Sequence, residues 1–84
     1  MWFVEVAPSA VRALERAQDA DRRRLETALA GMKLNPFAGD IGRLIGREHR
    51  WRRRVGSWRI IFKVNRAQAI VSIESVVRRS STTY

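Results

Sequence analysis

Apolar and charged residues alternate over residues 50–64, and this alternation is the clearest structural signal in the chain. Successive side chains of a strand point to opposite faces of a sheet, so residues two apart share a face. Val55-Gly56-Ser57 interrupts the stretch and predicts a turn between two strands. One face is predicted to be apolar: Trp51, Val55, Trp58, Ile60, Phe62 and Val64. The opposite face is predicted to carry Arg52, Arg54, Arg59, Ile61 and Lys63. A sheet with guanidinium groups on one side is suited to holding an anion.

The first half of the chain has the pattern of a strand followed by two helices. Alternation over Met1 to Val6 predicts an opening strand. Pro8 suits the first turn of a helix that runs to about Ala17, and Asp21 begins a second helix that ends before Asn35-Pro36. One apolar stripe at i, i+3, i+4 and i+7 predicts the buried side of the second helix: Leu25, Ala28, Leu29 and Met32.

The remaining segments predict loops and one more strand. Residues 37–46 form a glycine-spaced loop with room for a short strand near residues 43–45. A turn at residues 65–68 precedes a third strand from Ala69 to Val77. Together the elements predict an α+β fold in one domain spanning residues 1–84, with a helical hairpin packed on the apolar face of the sheet.

The net charge of +9 comes entirely from the second half of the chain. Residues 1–42 hold six basic and six acidic side chains, whereas residues 43–84 hold eleven basic and two acidic ones. Fifteen of the seventeen cations are arginine, whose planar fork suits phosphate and base stacking. A polyanion or an acidic protein is therefore the expected partner, and nucleic acid is the favoured polyanion.

The candidate chemistry rests on one cluster: Arg52, Arg54, Arg59, Arg79 and Tyr84. Several fixed cations around a phosphodiester can stabilise the charge of a five-coordinate transition state. Neighbouring guanidinium groups would favour the phenolate of Tyr84, which could then transfer a proton. Residue chemistry alone leaves an alternative equally open, in which the arginines only bind an acidic partner. The chain has no cysteine, and His49 by itself cannot anchor a zinc ion, so neither metal nor cofactor is expected.

Beyond these patterns, the sequence resembles the RelE/ParE superfamily of bacterial toxins. The resemblance covers nearly the whole chain and is carried by these segments: Ala7-Pro8-Ser9-Ala10, Asn35-Pro36, Arg43-Leu44, Trp51-Arg52, Arg54 to Phe62, Ser75 to Arg79, and Tyr84. It implies a helical hairpin on an antiparallel sheet of about four strands. In the RelE branch it implies a metal-independent, ribosome-dependent endoribonuclease that cuts mRNA through the 2′-OH and leaves a 2′,3′-cyclic phosphate. ParE-like members share the fold but poison DNA gyrase, and a non-catalytic basic RNA-binding or ribosome-binding module is a third alternative.

The resemblance also implies roles for individual residues. Arg59 and Arg79 would stabilise the phosphate, and Arg52 and Arg54 would position the substrate and stabilise charge. Tyr84 would stack on a base or transfer a proton. Further RNA contacts are expected from three cations: Arg50, Lys63 and Arg78. Arg53 replaces an apolar residue usual in the family, which suggests a place at a sheet edge with its stem buried.

The implied partners are a cognate antitoxin, the ribosome and mRNA. The opening residues lack a basic segment followed by a long apolar run, so no signal peptide is expected. No segment approaches the ~20 apolar residues of a membrane span. A cytoplasmic protein without membrane contact is therefore predicted.

Overall fold

Two helices and five strands make up the part of the chain that the computed structural model describes, residues 1–46 and 49–78. In chain order they are β1 (Phe3–Val6), α1 (Pro8–Arg16), α2 (Asp19–Met32), β2 (Ile41–Arg43), β3 (Arg50–Val55), β4 (Trp58–Asn65) and β5 (Ile70–Arg78). The predicted α+β class, the helix pair and the hairpin of β3 and β4 are confirmed. Within these ranges no helix is long and apolar enough to cross a membrane.

The five strands form one sheet in the order β1-β5-β4-β3-β2. Neighbouring strands from β2 to β5 are antiparallel, whereas β1 pairs with β5 in parallel, with Val4 opposite Val71. The sheet is therefore wider than the expected four strands and is not wholly antiparallel. Parallel neighbours need a long connection between them, and the helices and three further strands supply it here.

The helices cover one face of the sheet and enclose the core. The predicted stripe of α2 is buried, and the core cluster consists of Ala10, Leu25, Ala28, Leu29, Met32, Ile60, Phe62, Val71, Ile73 and Val76. Phe62 and Ile60 of β4 are completely buried, as the alternation predicts. No helix among the described residues covers the other face of β3 and β4.

Arg22 fastens the two helices to each other. Its guanidinium group donates hydrogen bonds to the carbonyl oxygens of Leu14 at 3.1 Å and Ala17 at 2.7 Å. These carbonyls lie at the C-terminal end of α1, where the helix leaves acceptors unpaired and a cation is stabilised. The side chain therefore fixes the angle at which α2 leaves α1 and enters the core.

A bulge interrupts the pairing of β4 with β5. Ile61 lies opposite Ser75 and Phe62 lies opposite Ile73, so Glu74 is the extra residue of β5. A bulge re-aims the side chain of the inserted residue and increases the local twist. It places a carboxylate within reach of the cations on the face opposite the helices.

Candidate functional site

The face of the sheet opposite the helices carries a cluster of cations that we call the arginine face. It consists of Arg50, Arg52, Arg54, Arg59 and Lys63. In the pairing of β3 with β4, Arg54 lies opposite Arg59 and Arg50 lies opposite Lys63, while Trp51 and Phe62 pair on the helix-covered side. The alternation thus predicts correctly that Arg52, Arg54 and Arg59 share one side of the sheet.

Arg59 occupies the most protected position on the arginine face. It is only 9% exposed, and it is the one charged side chain classed as buried in the described ranges. Arg54 lies directly opposite on β3, and Val77 lies opposite on β5. Like charges that face each other destabilise a strand pair. An anion bound between Arg54 and Arg59 would interact with both guanidinium groups in a position partly shielded from water.

Arg52 is held against the edge strand β2. Its partner there is Gly42, and a Cβ built on that glycine would lie 3.0 Å from Nη2 of Arg52. The carboxylate of Asp40 is 3.9 Å from Nη1, which is an ion-pair contact but too long for a hydrogen bond.

Nη1 of Arg52 and Nε of Arg54 are buried and have no hydrogen-bond partner among the described residues. Buried donors of this kind are costly, and such costs are tolerated where a ligand satisfies them.

Arg50 differs from the other arginines of this face because a carboxylate balances its charge. Its Nε and Nη2 donate to the two carboxylate oxygens of Glu74 at 2.8 and 3.1 Å. Each of the two side chains is 32% exposed. The sequence gives no sign of this pair, because only the bulge brings Glu74 to Arg50. Contact of Arg50 with RNA stays a prediction, and the ion pair weakens the attraction that this arginine would exert on a phosphate.

Of the other predicted residues, one lies away from the arginine face and two lie outside the described residues. Arg78 pairs with Trp58, and its Cζ lies 5.9 Å from the centre of the Trp58 ring, on the helix-covered side of the sheet. The structure therefore does not bring it together with the arginine face. Arg79 and Tyr84 lie outside the described residues, so their catalytic roles stay predictions.

Arg53 does not lie at a sheet edge. Its strand is flanked by β2 and β4, where it pairs with Ile41 and Ile60 on the helix-covered side. The backbone of Gly39 leaves room for its guanidinium group, since a Cβ there would be 2.8 Å from Cζ of Arg53. The expectation of an edge position is wrong because the short strand β2 is added outside β3.

The described residues offer few groups for metal or proton-transfer chemistry. They contain no set of three histidine, cysteine, aspartate or glutamate side chains that could hold a metal ion. Of the acidic groups near the arginine face, Glu74 is paired with Arg50 and Asp40 lies near Arg52. Arginine stays protonated in proteins, so it stabilises charge and does not move protons.

Comparisons with known proteins point to one family. A sequence profile described as "ParE toxin of type II toxin-antitoxin system, parDE" matches residues 4–82. A comparison with curated protein sequences gave no significant match. The fold is similar to that of RelE in an archaeal RelE–RelB complex from Pyrococcus horikoshii OT3, with a TM-score of 0.85, 23% identity, and coverage of 96% of this chain and 98% of that one.

Two further solved structures have the same fold. The isolated E. coli RelE toxin gives a TM-score of 0.81 at 15% identity, covering 99% of this chain and 89% of that one. A YoeB/ParE toxin from Agrobacterium tumefaciens gives 0.75 at 19% identity, covering 93% of this chain and 99% of that one. At these identities the likeness concerns the arrangement of helices and strands.

Proposed function

The chain belongs to the ParE toxin family of type II toxin–antitoxin systems, within the RelE/ParE superfamily, and we propose that it cleaves RNA on its arginine face. The observation that carries this proposal is the convergence of Arg52, Arg54 and Arg59 on the side of the sheet opposite the helices. A phosphodiester bound there would accept the donors that Arg52 and Arg54 leave unpaired within the described residues. It would also lie between the two arginines that face each other.

The proposed reaction is transfer of the phosphodiester to its own ribose. The 2′ oxygen bonds to phosphorus, the bond from phosphorus to the 5′ oxygen breaks, and the products are a 2′,3′-cyclic phosphate and a 5′-OH. One proton leaves the 2′-OH and one reaches the departing 5′ oxygen. Arg59 and Arg54 stabilise the extra negative charge of the five-coordinate transition state, and the low exposure of Arg59 strengthens this interaction. Arg79 would add to this stabilisation and Tyr84 would transfer a proton.

The proposed substrate is mRNA on the ribosome, following the RelE branch of the superfamily. Among the described residues, the arginine face holds no carboxylate or histidine that could act as a general base without disturbing an ion pair. An RNA held in a strained geometry by the ribosome needs less assistance of that kind, because orientation itself lowers the barrier. This gives a physical reason for dependence on the ribosome.

The proposed partner is an antitoxin that masks the arginine face. The matched P. horikoshii structure is a complex of RelE with RelB. For this chain, a partner segment rich in aspartate and glutamate would satisfy the same guanidinium groups as a phosphate does. Cleavage and antitoxin binding would then exclude each other through shared arginines.

A second candidate function is inhibition of DNA gyrase. The observation that favours it is the family profile itself, which is named for ParE toxins. A gyrase inhibitor needs no phosphodiester chemistry of its own, so its inhibition of gyrase would survive removal of the cations that cleavage requires. The same variants therefore discriminate between the two functions.

The test compares two double variants that remove equal charge. Arg52→Ala/Arg54→Ala removes two cations from the arginine face, and Arg12→Ala/Arg16→Ala removes two exposed cations from α1. With purified protein and ribosomes carrying end-labelled mRNA, the first variant should cut at least about 100-fold more slowly, because one lost donor to a transition-state oxyanion costs about 10²–10³-fold. The α1 variant should cut like the original chain. Equal cutting by both variants would contradict the proposal.

A further inference from the structure

A second cationic site lies where the arginine face ends, and we call it the end cleft. It has a volume of about 610 Å³ and lies beside the start of β3 and the turn between β4 and β5. Arg50 and Lys63 of the arginine face form part of its wall. The wall also includes Arg43, Arg66, Phe37 and Trp51. The cleft thus continues the basic surface around the end of the sheet.

Two aromatic rings form the framework of the end cleft. Phe37 and Trp51 meet edge to face, with ring centres 5.5 Å apart. Trp2 and Phe37 also meet edge to face, with ring centres 6.0 Å apart. The backbone N–H of Phe37 donates to the side-chain oxygen of Asn35, and Pro36 between them is buried. The rings are therefore held by the turn after α2 and by the sheet at the same time.

Each of these two rings carries a guanidinium group. Cζ of Arg43 lies 5.3 Å from the centre of the Trp51 ring, and Cζ of Arg66 lies 4.6 Å from the centre of the Phe37 ring. A cation–π contact of this kind leaves the N–H donors of the guanidinium group available to other partners. Neither arginine has an ion-pair partner in the described ranges. The two forks are thus held in position with their donors available, which reduces the entropy lost when they bind a ligand.

The end cleft has a strongly unbalanced charge. No aspartate or glutamate among the described residues lines it. Arg50 already has Glu74 as a partner, so the attraction for a ligand comes mainly from Arg43, Arg66 and Lys63. Three cations beside two half-buried aromatic rings match a nucleotide, whose phosphate accepts from guanidinium groups while its base contacts the rings.

We propose that the end cleft binds an RNA phosphate, and the nucleotide attached to it, next to the segment of RNA that lies on the arginine face. This inference rests on the proposed function. Single-stranded RNA is favoured over an acidic peptide because the cleft is continuous with the arginine face through Arg50 and Lys63, so one strand can follow both. We therefore expect the affinity for RNA to rise once the RNA is long enough to reach beyond the arginine face into the end cleft.

The test measures binding of oligouridylates of about 4 and about 12 nucleotides, which span the site sizes of known single-strand binders. Fluorescence anisotropy is recorded at several salt concentrations for the original chain and for Arg43→Gln/Arg66→Gln. Each phosphate neutralised in a single strand contributes about −0.7 to the slope of log K against log salt. The double variant should bind the long oligonucleotide more weakly, with a slope smaller in magnitude by about 1.4, and should bind the short one unchanged. Arg12→Ala/Arg16→Ala is the control with equal loss of charge.

The outcomes separate this inference from the proposed function. An unchanged slope in Arg43→Gln/Arg66→Gln, with binding still lost in Arg52→Ala/Arg54→Ala, would overturn the end cleft and leave the arginine face in place. Unchanged binding and cutting in Arg52→Ala/Arg54→Ala would overturn the proposed function. A third outcome is that Arg43→Gln/Arg66→Gln loses affinity for a glutamate-rich peptide but binds RNA unchanged. This result would assign the cleft to an acidic protein and overturn the inference.

Discussion

Gly42→Ala is expected to impair RNA cleavage without removing a charge or weakening the fold. Gly42 of β2 faces Arg52, and a Cβ at this position would lie 3.0 Å from Nη2 of the arginine. Non-bonded heavy atoms are most favourably separated by about 3.5–4.0 Å, so the guanidinium group would have to move by about half an ångström. The atom that moves is the tip of a long side chain, so the backbone is not forced to follow.

The expected loss of activity follows from this displacement. A misplacement of about 1 Å can reduce a rate by about 100-fold, so half that distance predicts a loss of about tenfold. Gly42 does not have a positive φ, and alanine at such a position stabilises by about 0.4–1 kcal/mol through the unfolded state. The melting temperature of Gly42→Ala should therefore be unchanged or slightly raised while cutting is slower.

Gly39→Ala provides the matched comparison. Gly39 has a φ of +86°, and its missing Cβ would meet Arg53 on the helix-covered side. Alanine in a left-handed conformation costs about 1–2 kcal/mol, so this variant should melt at a lower temperature. Because Arg53 is not part of the arginine face, Gly39→Ala should cut at close to the original rate when assayed well below its melting temperature.

The assay follows cutting of end-labelled mRNA on ribosomes, with thermal denaturation followed by circular dichroism on the same samples. Arg52→Ala defines the activity that remains without the guanidinium group. If Gly42→Ala acts by moving this group, Gly42→Ala/Arg52→Ala should be no slower than Arg52→Ala alone. Cutting at the original rate in Gly42→Ala, or additive losses in the double variant, would show that Gly42→Ala does not act by displacing Arg52.

Two further predictions concern ion pairing and burial on the two sides of the sheet. A double-mutant cycle with Arg50→Met and Glu74→Gln, measured by urea unfolding, should give a coupling free energy of about 1 kcal/mol. This value lies between those for exposed ion pairs and for hydrogen bonds to buried charges. A coupling near zero would contradict the bidentate pair. Arg53→Met should leave stability unchanged or raise it by up to about 1–2 kcal/mol, because Nε of Arg53 is buried without a partner in the described residues. A clear loss of stability in thermal denaturation would contradict this prediction.

Local patterns predicted the faces of the hairpin because side chains alternate strictly along a strand. A register slip of one residue would have moved Ile60 and Phe62 out of the core, so the pattern specifies both faces at once. The stripe of α2 was predictable for the same reason, with the period of a helix. The start of α2 differs from the prediction: the helix begins at Asp19 and not at Asp21, since either aspartate suits the first turn.

Features that depend on distant contacts could not be read from the sequence. The parallel pairing of β1 with β5 joins residues that local patterns treat separately, and β2 lies at Ile41–Arg43, slightly before the segment expected. Nothing in the residues around Glu74 marks a bulge, so its pair with Arg50 was missed. The end cleft was missed as well, because Arg43 and Arg66 meet Trp51 and Phe37 only after the sheet and the turn after α2 have formed.

The most direct test of RNA cleavage by this chain is primer extension on a translated mRNA after the protein is induced in bacterial cells. If the chain cleaves RNA, new 5′ ends should appear within reading frames. They should disappear when translation is blocked and when Arg52→Ala/Arg54→Ala replaces the original chain. Intact mRNA in cells that nevertheless stop growing, together with DNA breaks, would contradict cleavage and assign the chain to gyrase inhibition.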